Sequence, residues 1–219
     1  LGRPMAVTPS IFAYSMLYPY SDNYLDDPQV PAAEKGRFNT RFGRRLAGEP
    51  VAPANLHEEK IWRLVELIER QYPRPASPDV YDSLLAIHRA QAGSLRLAGS
   101  EAAVEDGDVL RLIFAKGGAS VLADGYLAAG TLSAEEAGFV FLWGVLLQIG
   151  DDLQDVGEDQ RRGVRTLFTQ AAGREPLDAI TNRAFHFGEA AMRRLEHIGA
   201  GRTGARRSGA SARSAGSTV

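Results

Sequence analysis

The sequence contains no cysteine, so it can hold neither a disulfide framework nor a thiolate metal site. Its most apolar stretch, 139–147, is far shorter than the ~20 residues that a membrane-spanning helix needs. No segment alternates with period two for any length, and no hairpin turn signal occurs. The glycine-rich phosphate loops, H-E-x-x-H and G-x-S-x-G are also missing, which excludes the common nucleotide, zinc-protease and serine-hydrolase signatures.

Neither basic nor acidic residues are in large excess, and the net charge of −2 argues against a nucleic-acid partner. No acidic residue follows Glu196, whereas four arginines do, so the rest of the chain carries 21 basic and 27 acidic residues. The segment 199–219 is almost entirely Gly, Ala, Ser, Arg and Thr. We predict one domain over 1–198 and a low-complexity, disordered tail over 199–219.

The beginning of the chain carries no secretory signal, and we therefore expect a cytoplasmic protein. The first residue is Leu1 rather than a methionine. We interpret the sequence as a fragment or a processed product.

Helix start signals recur along the chain. Thr8 is followed by Pro9, which makes a hydroxyl cap with a proline at the first helical position. Asn55 precedes Glu58 by three residues and Ser133 precedes Glu136 by three, and each of these pairs forms a capping box. Apolar residues with helical spacing follow each signal, and we expect a short exposed helix and a loop within 29–54. These patterns predict an all-α fold, an antiparallel helical bundle.

An acidic stretch, QIGDDLQDVGED at 148–159, ends the most apolar helix. Asp151, Asp155 and Asp159 recur every fourth residue, and Gln148 and Asp152 fall on the same broad face of a continuous helix. Like charges at this spacing destabilise a helix by about 0.2–0.5 kcal/mol per pair. The stretch is therefore either a solvated helix end or a site for Mg²⁺, which prefers carboxylates and water.

A second pair of carboxylates lies near the start of the chain. Asp22 and Asp26 share one helical face in SDNYLDDP, after a helix that Pro19 should kink. Farther on, Lys116 stands beside two glycines inside a helix predicted over 104–129. Two adjacent glycines cost a helix about 2 kcal/mol relative to alanines, which indicates an interruption by a close backbone approach, a kink or room for a ligand. His88 falls on an apolar stripe, and we interpret it as a satisfied core histidine.

Together these features resemble the class I isoprenoid synthases, helical bundles with two Asp-rich motifs on opposing helices. QIGDDLQD is similar to the second motif of trans-isoprenyl diphosphate synthases, Q-x-x-D-D-x-x-D. Read four residues farther, QIGDDLQDVGED is similar to that of squalene and phytoene synthases. DNYLD resembles the first motif of either branch, and Lys116 resembles the lysine of the prenyltransferase K-T motif. Gly163, Arg165 and Thr166 are weakly similar to the basic G-K-x-T segment of that family.

The resemblance implies a Mg²⁺-dependent transferase, with Mn²⁺ as an alternative metal, that ionises an allylic prenyl diphosphate and forms a carbon–carbon bond. It implies prenyl transfer or head-to-head condensation, with cyclisation as an alternative, and leaves a homodimer open. The implied catalytic residues are Asp22, Asp26, Asp151 and Asp155. The implied metal ligands are Asp22, Asp26, Asp151, Asp152, Asp155 and Asp159, the diphosphate partners Lys116 and Arg165, and the substrate-pocket residues Tyr14, Tyr18 and Gln148.

Two branches of the family remain open, since Asp151 with Asp155 suits a chain-elongating enzyme and Asp155 with Asp159 suits a squalene or phytoene synthase. Tyr14 and Tyr18 precede Asp22 on its helix, where side chains limit product length in the prenyltransferase branch, or they simply pack in the core. The family also has several helices before its first motif, where this chain has about 20 residues, so the chain is incomplete or an inactive member. The competing classes are a helical nucleotide pyrophosphohydrolase and a non-enzymatic helical module.

Overall fold

The computed structural model describes the backbone of residues 6–98, 106–172 and 174–214, and side chains within 6–25, 27–93, 107–172 and 174–198. The prediction of an all-α fold is confirmed, since this part of the chain forms helices and no strand. The helices are α1 (Pro9–Asp26), α2 (Ala32–Leu46), α3 (Leu56–Gln71), α4 (Pro78–Ala98), α5 (Asp106–Ala129), α6 (Ala134–Gln154), α7 (Val156–Arg162), α8 (Leu167–Ala172) and α9 (Asp178–Ser214).

Three helices begin where the capping signals predict. The Thr8 side chain accepts a hydrogen bond from the backbone N–H of Ile11 and caps α1. Asn55 caps α3 by accepting from the N–H of Glu58 at 2.9 Å. At α6 the capping box is complete, because Ser133 and Glu136 each accept from the other's backbone N–H. These caps satisfy N–H groups that a helix start otherwise leaves without a partner.

Side-chain contacts fix the directions of the central helices. The N-terminal part of α4 lies beside the C-terminal parts of α3 and α5, since the Tyr81 hydroxyl donates to Tyr72 O and the Tyr72 hydroxyl donates to Leu127 O at 2.7 Å. We call this the tyrosine end of the bundle. Helix α5 therefore runs antiparallel to α4. Gly117 and Gly125 of α5 face Gln148 and Val140 of α6, so α6 runs antiparallel to α5.

A helix lies within 29–54, but the prediction that it is exposed is wrong. Helix α2 is 15 residues long, and Phe38, Phe42 and Leu46 on one face are 2–3% exposed. The rings of Phe38 and Phe42 stack on each other, and Phe42 stacks on Trp62 of α3. The basic residues that dominate the composition of α2 lie on its other faces, which hides its aromatic stripe in a composition-based reading.

The two glycines beside Lys116 do not interrupt α5, contrary to the sequence prediction. They permit a close approach of α6. A Cβ atom added to Gly117 would lie 2.7 Å from Gly144 O, and one added to Gly144 would lie 2.2 Å from Gly117 O. Any larger residue at either position would force these two helices apart. Of the three readings offered by the sequence, close backbone approach is the one observed.

The C-terminal helix α9 packs along α6, where Gly188 contacts Leu146, and its backbone continues to Ser214. No boundary at residue 199 is visible in the backbone. Disorder of the tail stays a prediction, and 215–219 lie outside the described residues. No helix in the described ranges combines the length and apolar character needed to cross a membrane, as the sequence predicted.

Candidate functional site at the acidic end

The two acidic segments lie at the same end of the bundle. The Tyr14 hydroxyl of α1 donates to Ser120 O of α5 at 3.2 Å. At the other end of α1, Ser10 N–H donates to Gln71 at the C-terminus of α3, close to the tyrosine end. Residues after Tyr14 therefore run away from that end, toward the N-terminal half of α5. The C-terminal half of α6 runs the same way. We call this the acidic end.

Asp22 is half-buried on α1, and its carboxylate contacts α4. Gln91 Nε2 donates to Asp22 Oδ1 at 3.0 Å, and Gln91 itself is only 5% exposed. Asp26 is the last residue of α1, one turn farther toward the acidic end, and its side chain lies outside the described part. The first acidic segment is thus anchored to α4 by a buried amide.

Asp152 is the carboxylate of the second segment that turns into the protein. It is 7% exposed, and Gln148 Nε2 donates to its Oδ1 at 2.9 Å. Its Oδ2 is buried without a hydrogen-bond partner. Burial raises the pKa of Asp152 to about 6, and the charges of Asp159 and Asp151 add to this, whereas Lys116 opposes it. A buried acceptor without a partner is costly, and a cation or a donor from a ligand would satisfy it.

The predicted stripe of aspartates is divided between two successive helices. Helix α6 ends at Gln154, Asp155 caps it, and Asp159 belongs to the separate helix α7. Asp151 and Asp155 are exposed, while Asp159 is half-buried. The backbone at Asp155 (φ −95°, ψ 6°) departs from α-helical geometry. Helical backbone hydrogen bonds still continue through it, from Asp155 N–H to Asp151 O and from Asp159 N–H to Asp155 O, both at 2.9 Å.

The donor set at the acidic end has the chemistry that Mg²⁺ prefers, and the unpartnered Asp152 Oδ2 is consistent with a ligand. Among the described side chains, however, no three His, Asp or Glu groups lie together closely enough to hold a metal ion. Mg²⁺ in phosphate-transferring enzymes is typically held by one or two carboxylates, waters and the phosphates of the substrate. The protein groups present fit that mode rather than a cage of protein ligands.

Lys116 is half-buried in α5, one residue before the crossing with α6. Its charge lowers the pKa of Asp152, although the two do not form an ion pair in the structure. Gln148, expected in the substrate pocket, instead lies against Gly117 and holds Asp152. The crossing of α5 and α6 thus positions the lysine, the glutamine and the buried carboxylate together.

An apolar cavity of about 10 Å³ lies between α1, α2 and α4, on the tyrosine side of Asp22. Tyr14 and Tyr18 line it, and their place in a substrate pocket stays a prediction. Tyr14 is 4% exposed, and burial raises the pKa of its phenol. This volume holds about one water molecule. The other lining residues are Leu17, Ser21, Phe42, Leu46, Leu84, Ile87, His88 and Gln91.

Arg165 lies away from the helix crossing, on the exposed turn between α7 and α8. It lines an open surface pocket of about 440 Å³ together with Arg174, Gln160 and Gln170. Helix α8 is anchored by Phe168, which packs with Val109, Ile113, Val145 and Ile149.

Sequence reasoning missed the role of Gln91 and misjudged His88. Gln91 follows His88 by three residues on the apolar stripe of α4, and a polar residue on such a stripe was the available signal. His88 is in the core as expected, but its Nδ1 is buried without a partner. Burial lowers its pKa and so favours the neutral form of the ring. Gly43 makes room for it, since an added Cβ would lie 2.6 Å from Nε2.

No protein-family model, curated protein or solved structure matches this chain.

Proposed function

We propose that this chain is a Mg²⁺-dependent class I isoprenoid synthase, which ionises an allylic prenyl diphosphate and forms a carbon–carbon bond. The observation that carries the proposal is the convergence of both acidic segments on one end of the bundle. These segments lie about 125 residues apart in sequence. A solvated acidic helix end needs no second acidic segment at the same end of the bundle, whereas a diphosphate held through metal ions by two segments does.

Three features of the acidic end support the proposal. Asp152 carries a buried oxygen without a partner, which makes it a candidate ligand. Lys116 supplies a positive charge close to Asp152. Glutamine amides hold Asp22 and Asp152. Together these groups offer negative charge for metal ions and positive charge for phosphate oxygens.

In the proposed site, Asp22 and Asp26 of the first segment and Asp151, Asp152 and Asp155 of the second would hold Mg²⁺ together with the diphosphate. Bound Mg²⁺ supplies neutralisation of the charge that develops on the leaving diphosphate. Lys116 would donate hydrogen bonds to phosphate oxygens and would hold the leaving group away from the new carbocation. Asp159 and Arg165 complete the proposed set.

The apolar cavity below Asp22 would receive the start of the prenyl chain. An allylic cation is destroyed by water, so an apolar lining favours carbon–carbon bond formation over hydrolysis. At about 10 Å³ the cavity is smaller than any prenyl chain. Binding therefore requires the side chains of α1, α2 and α4 to move apart. Tyr18 closes the cavity on the α1 side and would favour a short product.

The test is Mg²⁺-dependent release of diphosphate from a panel of allylic diphosphates, followed by identification of the hydrocarbon products. We expect turnover by the wild type that EDTA abolishes. Asp22→Asn and Asp152→Asn should each lower turnover by upward of ~100-fold, since each removes a ligand and not only a partner of a ligand. Asp82→Asn is the matched control, because Asp82 is an exposed aspartate of α4 and should leave turnover unchanged.

Three outcomes would contradict the proposal. Release of nucleoside monophosphates from nucleoside triphosphates, without turnover of allylic diphosphates, would identify a pyrophosphohydrolase. Absence of all turnover by the folded chain, also after any missing N-terminal helices are restored, would favour a non-enzymatic helical module. Turnover that Asp22→Asn and Asp82→Asn alter equally would place the chemistry elsewhere. Product length has its own test, since Tyr18→Ala should lengthen the product.

A further inference from the structure

Gln91 of α4 contacts the first acidic segment, and it lies among apolar neighbours. It is 5% exposed, it borders the cavity lined by Leu84 and Ile87, and its Nε2 donates to Asp22 Oδ1 at 3.0 Å. Burying an amide is unfavourable unless its hydrogen bonds are made. The hydrogen bond to Asp22 therefore compensates the burial of the Gln91 amide.

The amide has a property that a charged partner would lack. A lysine or arginine in its place would cancel the charge of the carboxylate and compete with a cation for its oxygens. A neutral N–H donor fixes the direction of Oδ1 and leaves the carboxylate charge unchanged. Oδ2 of the same group is then held in a defined direction.

The second acidic segment shows the same arrangement. Gln148 Nε2 donates to Oδ1 of Asp152 at 2.9 Å, and there the other oxygen is buried without a partner. The two glutamines come from different helices and have different sequence relations to their aspartates. Gln148 precedes Asp152 by one helical turn, whereas Gln91 and Asp22 are 69 residues apart. A helix-packing role alone does not account for this repetition at one end of the bundle.

We propose that Gln91 is a positioning residue, which orients the Asp22 carboxylate for a divalent cation bound with a diphosphate. The inference rests on the proposed function and adds a residue outside both acidic segments to it. Hydrogen-bond partners of ligand side chains typically account for 10–100-fold in metal affinity.

The experiment measures binding of Mn²⁺ together with inorganic pyrophosphate, by calorimetry and by the electron paramagnetic resonance spectrum of Mn²⁺. Gln91→Met keeps the length and volume of the side chain and removes the donor. We expect a Kd about tenfold weaker than that of the wild type and a changed spectrum. If Gln91→Met does not fold, as judged by circular dichroism, Gln91→Leu is measured in its place.

The matched control is Gln71→Met. Gln71 also hydrogen-bonds α1, since it accepts from Ser10 N–H at 3.3 Å, but it does so near the tyrosine end. Both variants lose one hydrogen bond between α1 and a neighbouring helix. Only Gln91→Met should weaken the binding of Mn²⁺ and pyrophosphate.

The outcomes separate the two proposals. Binding by the wild type with a Kd for Gln91→Met within twofold of it would overturn the positioning role and leave the proposed function standing. An equal loss in Gln71→Met would also overturn it, because general weakening of α1 packing would then be sufficient. No binding by the folded wild type would overturn the proposed function, and the role of Gln91 with it.

Discussion

The two ends of the bundle use polar side chains in different ways. At the tyrosine end, arginines and carboxylates pair with each other: Glu69 accepts from Arg45 and Arg74 at 2.7–2.8 Å, and Arg74 also donates to Leu46 O. Two tyrosine hydroxyls close the same end by donating to backbone carbonyls. These groups gain hydrogen bonds that compensate their burial.

At the acidic end, the protein does not use the full hydrogen-bonding capacity of a buried carboxylate. Asp152 has one buried oxygen without a partner, and the amides of Gln91 and Gln148 donate to Asp22 and Asp152. An arrangement of this kind is unfavourable for folding by itself. Glu58 at the N-terminus of α3, opposite the tyrosine end, also pairs with an arginine, Arg41. The difference between the ends therefore lies in Asp152, whose buried oxygen a cationic or donor ligand would complete.

The largest effect should come from the α5–α6 crossing, which supports the acidic end. Gly144→Val should destabilise the protein by about 3 kcal/mol, because its side chain would overlap Gly117 O and force the two helices apart. The measurement is chemical denaturation. Gly150→Ala on the same helix is the control, since an added Cβ there meets nothing within 4 Å. It should stabilise α6 by up to ~1 kcal/mol. Equal effects of the two changes would contradict the tight crossing.

The second prediction concerns the ion-pair network of the tyrosine end. Glu69→Gln should destabilise the protein by about 1–2 kcal/mol at pH 7. This value is lower than that of a fully buried ion pair, because solvent screens the partly exposed side chains. Burial raises the pKa of Glu69, but its hydrogen bonds to Arg45 and Arg74 outweigh this, and the net shift is downward. A lowered pKa means that the stabilisation is present above pH 4.5, the ordinary value, and is lost as the pH falls below it.

Glu59→Gln is the matched comparison on the same helix. Glu59 pairs with Arg63 four residues later, and both side chains are largely exposed. Removing this pair should cost at most ~0.5 kcal/mol. If Glu59→Gln and Glu69→Gln had the same effect on the denaturation midpoint, the tyrosine-end network would contribute no more than an ordinary surface ion pair.

Sequence alone predicted the helices and the caps of this bundle because those depend on local patterns. Thr8, Asn55 and Ser133 cap their helices through contacts within three residues. The site was less predictable. Helical spacing placed Asp151, Asp155 and Asp159 on one continuous helix, but the turn at Asp155 divides them between α6 and α7. Which aspartate turns inward depends on the packing of α6 against α5, a contact between distant residues.

The contact that Gln91 makes could not be predicted from the local sequence either. Its sequence position marks it only as a polar residue on an apolar stripe, since its partner lies 69 residues away. Similarly, the basic composition of α2 concealed the three buried residues Phe38, Phe42 and Leu46. Local patterns therefore predicted the elements, while the pairing between elements determined which residues meet.

The most direct test of the comparison is the pH dependence of Asp152. Because burial raises its pKa to about 6, the folded state takes up a proton more readily than the unfolded state. Asp152 therefore lowers stability above pH 6, and this cost disappears as the pH falls toward 3.8, the ordinary value. Asp152→Asn should stabilise the protein by about 1–2 kcal/mol at pH 8 and by little at pH 4.

The measurement is chemical denaturation of the wild type and Asp152→Asn at pH 4 and pH 8, without divalent metal. Glu69→Gln is denatured in parallel, because the two ends should respond to pH with opposite signs. Acid should weaken the tyrosine end through Glu69 and relieve the acidic end through Asp152. A stability difference between Asp152→Asn and the wild type that does not change with pH would contradict the cost assigned to the buried carboxylate. The contrast between the two ends would then rest on the tyrosine-end network alone.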